Sequence, residues 1–116
     1  TAAAYLDGRS LFKNNLVHGI VEPYKVSSAT LATAAAVKAK AEAEGCITYT
    51  NAADIKLTDP FALAAPNFLP QAGSPALAGA SFTGLTGFST TTYVGAFGTT
   101  NWMTGWTSFT PQTNVY

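Results

Sequence analysis

Pro66-Asn67-Phe68-Leu69-Pro70-Gln71-Ala72-Gly73-Ser74-Pro75-Ala76-Leu77 carries three prolines in a short span. Each proline removes a main-chain donor and fixes its own φ. The passage is too proline-rich for a regular helix or a central strand. Its surroundings are equally distinctive. All twelve charged side chains lie between Asp7 and Asp59, six acids and six bases, and residues 60–116 have none. That uncharged segment keeps Phe61, Phe68, Phe82, Phe88, Tyr93, Phe97, Trp102, Trp106, Phe109 and Tyr116 among Thr, Gly, Ala and Ser. It offers no carboxylate pair for acid–base work, no cation for a phosphate, and no His or Cys for a metal. Its expected role is to be covered, to cover something, or to adhere. Tyr93-Val94-Gly95-Ala96-Phe97 is its best strand candidate, and the rest reads as loops.

Before Asp59-Pro60 the chain is more regular. Residues 1–26 read as extended, with Leu11-Phe12 and Leu16-Val17 flanking the pair Asn14-Asn15, and Gly19 and Pro23 as punctuation. Residues 28–44 read as a helix. Ser27 or Ser28 would cap it, and Leu31, Ala34, Val37 and Ala41 would share one face. Lys38/Glu42 and Lys40/Glu44 are i, i+4 pairs on the solvated side, and Gly45 suits the position just past the C-terminus. Cys46-Ile47-Thr48-Tyr49-Thr50 reads as a strand. Asn51 caps a short helical start with Asp54 near its N-terminus.

Composition narrows the class. The chain of 116 residues is one domain or part of one, 47% hydrophobic and only 10% charged. A net charge of zero argues against nucleic acid as a partner. The many aromatics and lack of net charge argue against disorder. One cysteine, Cys46, excludes an intrachain disulfide and reads as a small buried hydrophobe. No run approaches the roughly 18 apolar residues of a transmembrane helix. A start at Thr1, without Met or signal peptide, reads as a processed or incomplete chain.

Three passages, in order, carry a resemblance. Residues 66–77 resemble the "PDFRLQPGSPAID" passage near the end of many right-handed parallel β-helix proteins of pectate-lyase-like type. Tyr93-Val94-Gly95-Ala96-Phe97-Gly98 resembles the "DIGAFE" element that comes after it there. Phe12-Lys13-Asn14-Asn15-Leu16-Val17-His18-Gly19 resembles one rung of such a helix, of "FKNNII.G" type. The aromatic ending from Trp102 is similar to the tails of exported surface proteins of Bacteroidota-type bacteria. Tyr93 and Gly98 depart from the pattern, standing where the family often has Asp and Glu.

The resemblance implies a mainly β fold: the end coils of a right-handed parallel β-helix, with one inserted α-helix and an irregular aromatic C-terminal cap. Residues 1–26 would be a rung and 28–44 the insertion. Residues 46–59 would be strand and turn, and 60–116 the cap, with Phe68, Leu69 and Leu77 pointing inward and Asn14 and Asn15 at a turn. A solenoid end needs such a cap because its last coil exposes unpaired strand groups. The implied setting is extracellular or at the outer cell surface, with a non-catalytic structural or assembly role. The partner would be protein, either upstream coils or another subunit. The alternative is the C-terminal part of a carbohydrate-active β-helix protein, a polysaccharide lyase, hydrolase or glycan binder with its active site upstream.

No residue here reads as catalytic, and no cofactor or metal is implied. His18 lacks a partner nucleophile or acid at any known spacing and reads as structural. Asp54 and Asp59 are too few oxygen ligands for calcium. Tyr93, Phe97, Trp102, Trp106 and Phe109 form the candidate surface, as cap packing, protein interface or glycan-stacking platform.

Overall fold

The computed structural model describes residues 1–27, 30–105 and 107–113. The chain divides into two compact units, Thr1–Ala52 and Ala53–Tyr116.

The N-terminal unit is built from two helices and two parallel strands. Helix α1, Ala2–Leu6, begins at Thr1, whose side chain accepts from the Ala4 N–H. Strand β1 is Leu16–His18, helix α2 is Ala34–Ala43, and strand β2 is Ile47–Tyr49. β1 and β2 pair in parallel, Leu16 opposite Ile47, Val17 opposite Thr48 and His18 opposite Tyr49. Parallel strands cannot be joined by a tight turn, and α2 lies within the connection between them.

α2 forms because its sequence is alanine, lysine and glutamate around a single Val37, nearly all strong helix formers. It starts at Thr33, whose Oγ1 accepts from Ala36 N at 3.2 Å, well after the predicted cap at Ser27. Ser28 lies outside the described residues. The other end matches the sequence. Gly45 adopts φ +83°, and the Gly45 and Cys46 N–H groups donate to the Glu42 and Ala41 carbonyls, which is a Schellman motif. The predicted inward residues Leu31 and Ala34 are instead exposed, while Val37 and Ala41 face the core.

That core is Tyr5, Tyr24, Ala41 and Cys46, with Val37 against it. Cys46 is buried, as expected for a lone cysteine. Asn14 takes the left-handed conformation, φ +53°, that the sequence assigns to this corner. Its N–H donates to the Glu44 carbonyl at 3.1 Å, which ties the entry of β1 to the end of α2.

The C-terminal unit has β3, Leu57–Asp59, antiparallel to β4, Asn67–Pro70, with an irregular register between Leu57 and Asp59. The proline-rich passage therefore does contain a strand. A two-stranded sheet has only edges, so Pro70, lacking a donor, can sit at a strand end. The 3₁₀ turn Pro75–Leu77, capped by Ser74, fastens the next part of the chain to this sheet. Ser74 Oγ donates to the Ile55 carbonyl at 2.6 Å and accepts from Ala76 N at 3.1 Å. Val94 N then donates to the Ala76 carbonyl at 2.8 Å.

These observations overturn the parallel β-helix. A solenoid stacks parallel strands coil upon coil. Among the described residues each sheet has two strands, one pair is parallel, the other is antiparallel, and no coils stack. The antiparallel return is set by the turn between β3 and β4, where Pro60 stops β3 and Ala65 N bonds back to the Ala62 carbonyl. Residues 1–26 are not one extended rung, because they open with α1. The expected strand over Tyr93–Phe97 is a run of bends. Phe68, Leu69 and Leu77 are half-buried, and the tightest points are Ser74 and Ala76.

Ser74→Ala is accordingly expected to cost about 2–3 kcal/mol, since it removes a cap and strands the Ile55 carbonyl. Lys38→Ala, which loses only an exposed ion pair with Glu42, should stay within about 0.5 kcal/mol. Urea midpoints of the two variants check this, and equal shifts would refute it.

Candidate functional site

Four of the aromatic residues of the C-terminal unit, Phe68, Phe97, Trp102 and Phe109, form a ladder. Phe68, carried on β4, stacks against Phe97 with ring centroids 6.0 Å apart and planes 29° from parallel. Phe97 in turn stacks on Trp102 at 5.3 Å and 10°. Phe109 also meets Phe68, edge-on at 6.4 Å. Offset stacks and edge contacts at these separations are the favoured aromatic geometries.

Backbone devices hold the ladder in place. Asn101 Oδ1 accepts from Met103 N at 3.1 Å, closing a turn around Trp102. The indole Nε1–H donates to the Ala96 carbonyl at 2.8 Å, which fixes the ring plane. Trp102 is still 48% exposed and Phe109 43%.

Tyr93 stands apart from the stack. Its ring lies over Gly98, where an added Cβ would come within 2.7 Å of the Tyr93 ring. A side chain at 98 would therefore press on the Tyr93 ring, which glycine avoids. Of the five residues singled out in the sequence, the structure joins Phe97, Trp102 and Phe109 in one ladder and places Tyr93 beside it. Trp106 lies outside the described residues. Phe68 is the member that the sequence does not assign to the cluster. Its position on β4, opposite β3, depends on a strand pairing that no local pattern announces.

A second cluster lies in the N-terminal unit. The Tyr5 hydroxyl donates to Glu44 Oε2 at 2.8 Å. Glu44 Oε1 pairs with Lys40 Nζ at 2.8 Å, and the same ammonium sits 5.3 Å from the Tyr5 ring centroid. The sequence places Lys40 and Glu44 on a solvated face, but their side chains are only 26% and 17% exposed. Burial, then the hydrogen bond to Glu44, pushes the Tyr5 hydroxyl far above its ordinary value. Lys40, despite burial, holds the Glu44 carboxyl below the usual carboxylate range, and Tyr5 adds to this. A phenol held neutral in this way is a packing group and a donor, not a base.

Both shifts make stability depend on pH, in opposite directions. A raised tyrosine value stabilises the fold below the unfolded value of about 10, and the benefit is lost as pH rises through the folded value. A lowered carboxyl value stabilises it above about 4.3, and the benefit is lost as pH falls through the folded value. Alkaline absorbance titration is expected to show one tyrosine ionising late, near alkaline unfolding, and Tyr5→Phe should abolish that step. Glu44→Gln should flatten the acid limb of stability. Full tyrosine ionisation in the range of the free side chain would contradict the geometry.

His18 is structural in its contacts: Nδ1 lies 3.0 Å from the Tyr49 carbonyl across the β1–β2 pair. Among the described residues no three His, Cys, Asp or Glu side chains gather to hold a metal, and no helix is long and apolar enough to cross a membrane. No protein-family model, curated protein or solved structure matches this chain. The β-helix likeness thus rests on sequence motifs alone, and the fold departs from it.

Proposed function

We propose that this chain is a non-catalytic contact module of an exported or cell-surface protein, and that Ala53–Tyr116 docks on another protein through its uncharged aromatic surface. The observation that carries this reading is the exposure of large apolar groups in residues 60–116, a stretch without charged side chains. Phe61 is 72% exposed, Leu63 91% and Phe88 65%, beside the half-exposed Trp102 and Phe109. Exposed apolar patches beyond a few hundred Å² mark interaction sites, and Trp is enriched among interface anchors. The exported setting is supported by the sequence motifs.

A glycan-stacking role is the second reading. It is favoured by the fixed, half-exposed plane of Trp102, a surface on which the C–H face of a sugar ring can lie.

Oxidation separates the two. In the native setting Trp102 is expected to resist N-bromosuccinimide, whereas in the purified chain it should react. Equal reaction in both settings, together with saturable quenching by added oligosaccharide, would replace the protein partner by a glycan.

A further inference from the structure

A cleft of about 410 Å³ opens in the C-terminal unit between residues 64–67 on one side and residues 101, 103–105 and 107–110 on the other. Its wall mixes neutral polar groups with apolar ones and has no charge. Asn67, Asn101, Thr104 and Ser108 contribute amides and hydroxyls, Phe109 contributes an apolar ring, and no charged side chain takes part. Trp102 is not part of this wall.

The hydrogen bonds within the wall are directional. Asn67 Oδ1 accepts from Leu69 N at 3.1 Å, and Asn101 Oδ1 accepts from Met103 N at 3.1 Å. Both side-chain oxygens are thereby committed to the main chain, and each NH₂ group is left as the donor end. Ser108 Oγ accepts from Thr110 N at 3.2 Å, which leaves its hydroxyl hydrogen to donate outward.

We propose that this cleft binds a neutral, polyhydroxylated ligand, a short segment of uncharged oligosaccharide. A charged ligand would meet no counter-charge among the side chains that line the cleft. An apolar ligand would strip water from the amides and hydroxyls without replacing its hydrogen bonds, which disfavours it. Sugar hydroxyls donate and accept, so they can satisfy both, while the C–H face of the ring lies against Phe109. The volume falls within the range of small-ligand sites, about 300–1,000 Å³. The proposal does not need the protein contact above. It shares Phe109 with the aromatic ladder and Asn101 with the turn around Trp102, but its polar groups do not belong to the Trp102 stacking face.

The test uses the whole chain, isotope-labelled, titrated separately with cellohexaose, xylohexaose, mannohexaose and tetragalacturonate. At least one neutral hexaose is expected to shift the side-chain NH₂ resonances of Asn67 and Asn101 saturably, with the charged tetramer binding more weakly. Thr104 is exposed, so Thr104→Arg should fill the cleft mouth without unfolding the chain, which unchanged resonances elsewhere would verify. It should weaken binding by about tenfold or more, whereas Lys38→Ala in the N-terminal unit should change it by less than about twofold. Failure of all three neutral hexaoses would overturn the proposal, as would tighter binding of tetragalacturonate. Binding abolished by Trp102→Ala but indifferent to Thr104→Arg would overturn the cleft and place the sugar on the ladder. A cleft result leaves Trp102 protection in the native setting to be tested separately, whereas sugar on the ladder would favour the glycan-stacking reading over the protein contact.

Discussion

Ala41→Asp is expected to unfold the N-terminal unit. Ala41 is wholly buried, at 0% exposure, and it packs among Tyr5, Tyr24 and Cys46. Aspartate adds volume that a packed site cannot take, at about 1–3 kcal/mol. It also brings a carboxylate into this core, while Lys40 is already paired with Glu44. An unpaired buried charge costs several kcal/mol more. A unit of this size has about 3–8 kcal/mol of stability in total. Loss of the helical circular-dichroism signal and of the late tyrosine ionisation would show the collapse. Ala39→Asp, two positions away on the exposed face, should cost less than about 1 kcal/mol, mainly through helix propensity. Similar behaviour of the two variants would refute the placement of α2.

Phe97→Ala should be the most damaging change in the aromatic ladder, at about 2–3 kcal/mol, because Phe97 is half-buried and a fully buried Phe→Ala costs about 3–5 kcal/mol. It is the middle rung, stacked on both Phe68 and Trp102. Each such aromatic contact contributes about 0.5–1.5 kcal/mol beyond the area it covers. In a Trp106→Phe background, Trp102 is the single indole, and its emission should move to longer wavelength when Phe97 is removed. Phe88→Ala, at a ring 65% exposed, should cost less than about 1 kcal/mol and leave the emission unchanged. A large Phe88 effect with a silent Phe97 would mean that the ladder is not the packing centre of this unit.

Several local features are legible in the residues themselves. The end of α2 at Gly45, the left-handed corner at Asn14 and the strand at Ile47–Tyr49 all sit where the sequence points. Each is a short-range matter: a glycine that tolerates φ above zero, an asparagine that does so at modest cost, a β-prone Ile-Thr-Tyr run. The start of α2 is harder to read, because serine and threonine both cap well and several of them precede the alanine run.

The candidate site divides in the same way. That Phe97, Trp102 and Phe109 act together can be read from an aromatic-rich, charge-free segment. That Phe68 joins them cannot, because β4 reaches that position only through its antiparallel pairing with β3. The solenoid expectation fails for a related reason. The motifs at 12–19, 66–77 and 93–98 describe short pieces of chain, and a coil is defined by how such pieces stack. Pairing β1 with β2 in parallel and folding β4 back on β3 are long-range choices, made by side-chain packing across residues distant in sequence.

The residue order alone is enough to say that the charges stop at Asp59, that one alanine-rich helix ends at Gly45, and that an aromatic-rich, uncharged stretch lies beyond Pro60. Propensity, capping and composition act within a few residues and leave a direct mark on the chain. The two separate two-stranded sheets, the partly buried Tyr5–Glu44–Lys40 group, the Phe68 rung and the polar cleft beside Phe109 arise only in the folded molecule. Each of these depends on which distant segments meet, and that is settled by burial and pairing across the fold rather than by any local preference.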